Sequence, residues 1–364
     1  MTQAVILVGG QGTRLRPLTC NLPKPMVPVL NLPFLEHVIH NLKMHKITDI
    51  ILAQHYLAES IEKYFGNGSD FGVKLTYILE ESPRGTAGAI KNVEKYIKGT
   101  FFVLNGDIFA NRNFTDMMKI HRRNHAQATI ALTPVEDPTI YGVVETDSTK
   151  RVSRFLEKPK KEEVTTNLIN AGTYVLEPGV LARIAPEVKV SIERETFPAM
   201  LADGEPVYAY AAYNYWMDTG TTEKYLQLHR DLLAGKVEGY EFEDGLIAGQ
   251  SARIGKSVKV TGKTIAGINC VIEDDVTFEG PVVIGDGCTI RRGTRITDSV
   301  IWDNVEVGGN ATIQSCAIAN DCKIGDDNRL INVIIGDHLL VPRKANLTPG
   351  ARLFPEGHGE IIIT

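Results

Sequence analysis

Four groups of residues in this sequence have the types and spacing to handle a phosphorylated substrate. The first is Gly9-Gly10-Gln11-Gly12-Thr13-Arg14, followed by Pro23-Lys24-Pro25. Glycines let the backbone approach an anion closely, and successive N–H groups form an anion-binding concavity. Arg14 presents a planar fork of donors suited to phosphate oxygens, while the prolines flanking Lys24 restrict its backbone and aim its ammonium group. The second group is a pair of carboxylates, Asp107 and Asp218, each close behind a short apolar or aromatic run. Two carboxylates converging on hydrated Mg²⁺, with phosphate oxygens completing the octahedron, is the usual magnesium arrangement. The third and fourth, Glu157-Lys158-Pro159 and Asn170-Ala171-Gly172, gain this reading only in company with the other motifs, since alone they fit a solvated turn and a structural amide. Two familiar phosphate loops are excluded. Gly12 is followed by Thr13-Arg14 rather than Lys-Ser/Thr, and Leu15 stands where a dinucleotide fingerprint needs glycine.

These residues require strands whose ends converge. Ala4 to Val8 is a continuous apolar run, as expected of a parallel strand buried on both faces, and ligands bind at the carboxyl ends of such strands. Further strands are expected over 49–53, 74–79, 101–104, 128–132, 141–145 and 171–176, and helices over 35–45, 57–64, 86–96 and 114–124. This alternation predicts an α/β fold, a Rossmann-like and mostly parallel sheet flanked by helices.

After Gly235 the period changes. Apolar residues recur every sixth position at Ile254, Val260, Ala266, Ile272, Phe278, Ile284, Ile290 and Ile296. Beyond Ile296 the rhythm shortens by one residue per three-faced coil, through Ile301, Val307, Ile313, Ile318, Ile324, Leu330 and Ile335. A sixfold period with small residues at corners marks a parallel β-helix built from hexapeptides. The tail from His338, with Pro342, Pro349 and Pro355, is expected to cap the last coil. The domains expected are therefore 1–235 and 236–364, with a homo-oligomer assembled through the β-helix.

Composition narrows the class. A chain of 364 residues with 43% hydrophobic content supports two cores, and a net charge of −5 argues against nucleic acid or an anionic membrane as partner. No apolar run approaches the length that spans a bilayer, and no basic leader precedes the first strand, so a cytoplasmic protein is expected. The five cysteines form no Cys-x-x-Cys pair and are expected to be reduced.

The run Gly9 to Pro28 resembles the signature of the sugar-1-phosphate nucleotidylyltransferases, the nucleotide-sugar pyrophosphorylases. The other motifs follow in that family's order: Gly85-Thr86-Ala87-Gly88, Asn105-Gly106-Asp107, Tyr141-Gly142-Val143-Val144, Glu157-Lys158-Pro159, Asn170-Ala171-Gly172 and Trp216-Met217-Asp218-Thr219-Gly220. A left-handed hexapeptide β-helix is a frequent companion. The resemblance implies transfer of a nucleotidyl group from a nucleoside triphosphate to a hexose-1-phosphate, releasing pyrophosphate. It implies nucleotide contacts at Leu7, Gly9, Gly10, Gly12, Thr13, Arg14, Lys24, Gly85, Thr86 and Asp107. It implies sugar-phosphate contacts at Gly142, Glu157, Lys158, Asn170 and Gly172. Catalysis would fall to Arg14, Lys24, Asp107, Lys158 and Asp218, with Mg²⁺ on Asp107 and Asp218. A phosphate monoester is already an anion near neutral pH, so charge neutralisation and alignment are the work required.

For the base and sugar, Gly88 stands where thymidylyl- and uridylyl-transferring relatives carry a bulkier glutamine or histidine, and a small residue there favours a purine. Residues 191–198, Ser-Ile-Glu-Arg-Glu-Thr-Phe-Pro, are similar to a segment of mannose-1-phosphate guanylyltransferases. Together these favour GTP and mannose-1-phosphate, with thymidylyl or adenylyl transfer to glucose-1-phosphate as the competing reading. Two other classes compete: a regulatory subunit and acyl transfer by the β-helix. The regulatory reading is opposed by the intact Arg14, Lys24, Asp107, Lys158 and Asp218. The acyltransferase reading is opposed by the absence of any histidine between Ile254 and Asp337, the nearest being His338 and His358.

Overall fold

The computed structural model describes residues 2–211, 213–355 and 357; His358 and the residues after it lie outside the described part. The chain forms two compact units. The first comprises Met1–Gly10 with Leu35–Asp218, the second Gln11–Phe34 with Thr219–Thr364. The expected boundary at 235 thus falls within the second unit, which also takes in most of the signature segment.

The first unit is built on a nine-stranded sheet. In chain order its strands are β1 (Gln3–Leu7), β2 (Asp49–Gln54), β3 (Lys74–Leu79), β4 (Phe101–Asn105), β6 (Ala128–Pro134), β7 (Gly142–Thr146), β8 (Val152–Glu157), β9 (Leu168–Leu176) and β10 (Val207–Ala211). Between β4 and β6, β5 (Ile108–Ala110) pairs instead with β11 (Trp216–Asp218) as a separate ribbon. The sheet order is β8-β7-β9-β4-β1-β2-β3, with β6 bridging β9 and β10.

The half around β1 is parallel, as its buried apolar runs require. The other half is not: β9 runs antiparallel to β4, β6 and β7, and β7 to β8. The cause is local. β7 and β8 are joined by a turn too short for a crossover, in which the Asp147 carboxylate accepts the Thr149 and Arg151 N–H groups and Lys150 adopts φ 69°. The sheet is therefore mixed.

Helices α1 (Phe34–Met44), α2 (Ala58–Phe65), α3 (Gly85–Asn92) and α4 (Phe114–Arg123) fall where expected. α3 stops short of Tyr96, because Val93 leaves helical geometry to bury its side chain completely and a 3₁₀ turn follows. α4 is capped by Asn113, whose side chain accepts the Asp116 N–H.

The second unit contains the left-handed parallel β-helix, three parallel sheets of two- to four-residue strands. Thr264 pairs with Val282, but Val300 pairs with Ala317, so the coil loses one residue where the sequence rhythm shortens. The periodic residues from Ala266 to Ile335 are buried, and corner residues such as Asn269, Asn304, Asn310 and Asp327 take the left-handed conformation that short polar side chains tolerate. All five cysteines are buried, and none forms a disulfide. The tail closes the last coil: Arg352–Leu353 adds a strand beside Ile334–Ile335, and Pro355 packs against Gly336. At the other end Ile247 and Ile254 remain exposed. α5 (Phe197–Ala202) belongs to the first unit, and the last helix, α6 (Thr222–Leu233), is capped by Thr221 and belongs to the second.

Candidate active site

In the first unit the strand ends bring most of the motif residues together. Gly106 donates its N–H to the Leu7 carbonyl at 2.9 Å, and a Cβ at Gly106 would stand 2.7 Å from that same oxygen. Only glycine lets the end of β4 press against the end of β1 there, which fixes where Asp107 emerges. β11 pairs with β5 so that Asp218 lies opposite Ile108, immediately beside Asp107. Asp107, in the turn between β4 and β5, thus lies next to the residue opposite Asp218 at the end of β11, and both aspartates are half-buried. No cluster of three or more His, Cys, Asp or Glu with metal-binding geometry forms among the described residues. A neutral oxygen is nearby: Asn105 Oδ1, two residues before Asp107, is buried without a hydrogen-bond partner.

Gly172, at φ 66°, closes the other side; a Cβ there would meet Ile108 Cδ1 at 2.3 Å and Asn105 Nδ2 at 2.8 Å. Its N–H donates to Asn170 Oδ1 at 3.0 Å. Gly142 is paired with Glu157 across β7 and β8, and a Cβ there would lie 2.8 Å from Glu157 Oε2. Lys158 follows at φ 52°, its N–H held by the Tyr141 carbonyl at 2.9 Å, with its side chain exposed. The Trp216 indole donates to the Ala171 carbonyl at 3.1 Å and stands edge-on to Tyr141.

Glu193 organises this region, although the sequence reading, which took residues 191–198 as a resemblance, assigned it no role. Ser191 Oγ accepts the Arg194 N–H, and Arg194 is exposed. Glu193 points the other way. Its Oε2 accepts from Thr86 Oγ1 at 2.6 Å and Ser191 Oγ at 2.8 Å, and its Oε1 accepts from the Tyr174 hydroxyl at 3.1 Å. Tyr174 in turn receives Asn170 Nδ2 at 2.8 Å. One carboxylate therefore joins the Gly85-Thr86 turn to the Asn170 strand. The available signal was its position two residues after Ser191, inside a motif already singled out. Burial, then the neighbouring Glu193 charge, holds the Glu157 carboxyl above the usual carboxylate range, against the opposing pull of Arg194 and Lys158.

Gly88 needs a correction. A Cβ there would meet Arg84 Cβ at 2.7 Å and the Val188 carbonyl at 2.8 Å. The space beside Gly88 is filled by the chain itself, so its smallness serves packing and leaves no room for a base. A different group stands by the glycine loop. Glu80, at the end of β3 and buried, brings Oε2 within 3.7 Å of where a Gly9 Cβ would lie, and its Oε1 has no hydrogen-bond partner. Burial raises its pKa, opposed by His55 and Arg84. Gly10 has open space around it.

Gly12, Thr13, Arg14 and Lys24 belong to the second unit. Gly12 adopts φ 61° and packs on Lys24, whose Cβ is 3.1 Å from the position of a Gly12 Cβ, while Thr19 Oγ1 donates to the Gly12 carbonyl at 2.8 Å. Arg14 is exposed on a 3₁₀ turn and Lys24 is buried.

A mixed α/β sheet with glycine-floored strand ends and adjacent aspartates is the framework of a nucleotidyl-transferring enzyme. The chain belongs to the nucleotidyl transferase family, whose pattern matches residues 3–235, and residues 273–348 match the GMPPB C-terminal domain. It is 39% identical over 313 residues to mannose-1-phosphate guanylyltransferase of Mycobacterium tuberculosis, covering 85% of this chain and 82% of that protein. It is 33% identical over 331 residues to UTP–glucose-1-phosphate uridylyltransferase of Synechocystis, covering 85% of each. The crystal structure of HddC from Yersinia pseudotuberculosis complexed with GMP-PN superposes with a TM-score of 0.54 at 31% identity, covering 63% of this chain and 98% of that one. The enzyme is a sugar-1-phosphate nucleotidylyltransferase. Among the described residues no helix is long and apolar enough to cross a membrane.

Proposed function

We propose that this enzyme joins GTP and mannose-1-phosphate into GDP-mannose. The observation that carries the choice of base is the buried carboxylate of Glu80 beside Gly9. An ionised carboxylate is acceptor-only, and guanine alone among the common bases offers two adjacent donors, N1–H and the 2-amino group, to receive it bidentately. Thymine and uracil present one donor between two acceptors and leave a carboxylate oxygen facing a carbonyl. The guanylyltransferase similarity of the M. tuberculosis relative supports the same reading. Glu80→Gln is expected to raise KM for GTP about 10- to 100-fold while relaxing discrimination against UTP. A variant with unchanged base preference removes Glu80 from base reading.

The sugar phosphate oxygen attacks the α-phosphorus; the new P–O bond forms as the bond to the β-phosphate oxygen breaks, and pyrophosphate leaves. Arg14 and Lys24 neutralise the triphosphate and the departing pyrophosphate, and Lys158 holds the sugar's phosphate. Glu157 and Asn170 accept and donate to sugar hydroxyls over the flat floor of Gly142 and Gly172. The all-oxygen donor set of Asp107, Asp218 and Asn105 Oδ1 suits Mg²⁺, and Asp107 and Asp218 would hold it. When bound, the ion neutralises phosphate charge. Assembly as a homo-oligomer through the β-helix and a cytoplasmic location fit this reading.

A pH test follows from Glu157. Its ionised form accepts hydroxyl donors, so its titration sets an acidic limb on kcat/KM for the sugar phosphate. Glu193→Gln removes a negative charge that holds this pKa up, so the limb is expected to move to lower pH. A limb that stays or moves up contradicts the assignment. The linked stability runs the other way: a raised carboxyl pKa in the folded state means stability is lost as pH rises from the ordinary glutamate value through the raised one.

A further inference from the structure

The signature segment, although it lies near the start of the chain, is fastened within the second unit by contacts from α6, the β-helix and the tail. Arg352 Nη1 donates to the Arg16 carbonyl at 3.0 Å, and Asn21 Nδ2 to Asp337 Oδ2 at 2.9 Å. The Tyr225 hydroxyl donates to the Pro28 carbonyl at 2.6 Å and accepts the Trp302 indole N–H at 2.9 Å. The Leu30 N–H donates to His229 Nε2 at 3.2 Å. Asn31 Nδ2 reaches the Ile284 carbonyl at 2.7 Å, an oxygen that also accepts the Gly267 N–H within the coil.

Two features show that these contacts set a position. Leu30 and Asn31, at φ 48° and 65°, form the two-residue turn of the hairpin Pro28–Val29 and Leu32–Pro33. Leucine in that region is strained and persists only where its surroundings over-determine it. Second, Tyr225 and Trp302 are 1% and 2% exposed, so their polar groups have been taken out of water to build this relay. Pro28 lies one residue beyond the turn that begins at Lys24 and closes with the Val27 N–H on the Lys24 carbonyl at 3.1 Å. Lys24 packs in turn on Gly12.

The geometry points to Tyr225 and Trp302 as positioning residues: through the indole–phenol–carbonyl relay, the β-helix sets the place of Lys24 and with it the grip on the nucleoside triphosphate. This rests on the reading of Arg14 and Lys24 as triphosphate ligands. It gives the β-helix a part in the reaction beyond scaffolding, although it carries no reacting group.

The test uses the full-length enzyme and the variants Tyr225→Phe, Trp302→Phe and the double variant, with Ile313→Val, a buried coil residue, as the stability control. Each single variant is expected to raise KM for GTP about 3- to 10-fold, the size of the one or two hydrogen bonds lost, with KM for mannose-1-phosphate within about twofold. The double variant should be no worse than Tyr225→Phe alone, since both remove the same relay. Ile313→Val should lower Tm and leave both KM values in place. Equilibrium binding of GTP, measured without the sugar phosphate, should weaken in parallel. The inference is overturned if Tyr225→Phe lowers Tm with no change in GTP affinity, or if Ile313→Val weakens GTP as much. A wild-type chain that binds GTP but does not turn it over would overturn the functional reading and leave the relay's effect on binding standing; one that binds no triphosphate would overturn both.

Discussion

Asp107→Asn is expected to lower kcat by about 10²- to 10³-fold and leave Tm and the circular dichroism spectrum unchanged. The substitution is isosteric, so the Gly106 contact with Leu7 and the opposition of Asp218 to Ile108 survive it. What it removes is one of two negative charges at the junction of β4, β5 and β11. In the proposed site that charge would help hold a divalent cation, and without it the charge developing at phosphorus would be less balanced. Asp218→Asn should cost a comparable amount, and the double variant little more than either, if the two carboxylates hold one ion as proposed. Steady-state rates across a Mg²⁺ titration check this. Undiminished Mg²⁺-dependent turnover in Asp107→Asn would show that the cation is held elsewhere.

The second large effect is expected at Lys158. Lys158→Ala should raise KM for the sugar phosphate and cut kcat/KM by about a hundredfold or more, because the phosphate's charge would be left without its partner. The backbone argues that this lysine is placed for function. It occupies φ 52°, a conformation that costs a non-glycine residue free energy, between Glu157, which faces Gly142, and Pro159. Its N–H is tied to the Tyr141 carbonyl, so alanine inherits the same backbone and only the ammonium group is lost. KM for the nucleoside triphosphate should stay within about threefold. Lys158→Arg should recover part of the loss, because charge is kept while reach and geometry change. Equal losses toward both substrates would mean that Lys158 supports the fold rather than the sugar phosphate.

Much of this was legible in the chain. Apolar runs followed by Gly-Gly or Asn-Gly-Asp mark strand ends because a buried parallel strand must be apolar and a ligand site must be open. The hexapeptide period is written residue by residue, down to the one-residue shortening after Ile296. Pairing partners are not written that way. The antiparallel pairing of β7 with β8 depends on a tight turn at Asp147, and the period of a strand is the same in either direction. Glu193 and Glu80 were missed for a related reason. Each is one carboxylate in a charged surface-like stretch until folding places it, Glu193 against Thr86 and Tyr174 and Glu80 against Gly9. Gly88 failed in the opposite sense: its small size was visible, but the atoms that fill the space, Arg84 and the Val188 carbonyl, come from neighbours whose positions only the fold supplies. The fastening of residues 11–34 into the second unit is a long-range property of the same kind.

The account turns on which nucleotide is transferred to which sugar phosphate. Pyrophosphate release should be measured with the purified full-length enzyme and Mg²⁺ across GTP, ATP, UTP and dTTP, each paired with mannose-1-phosphate and glucose-1-phosphate. The highest kcat/KM is expected for GTP with mannose-1-phosphate, and GDP-mannose as the product. A clear preference for UTP, dTTP or ATP with glucose-1-phosphate would contradict it.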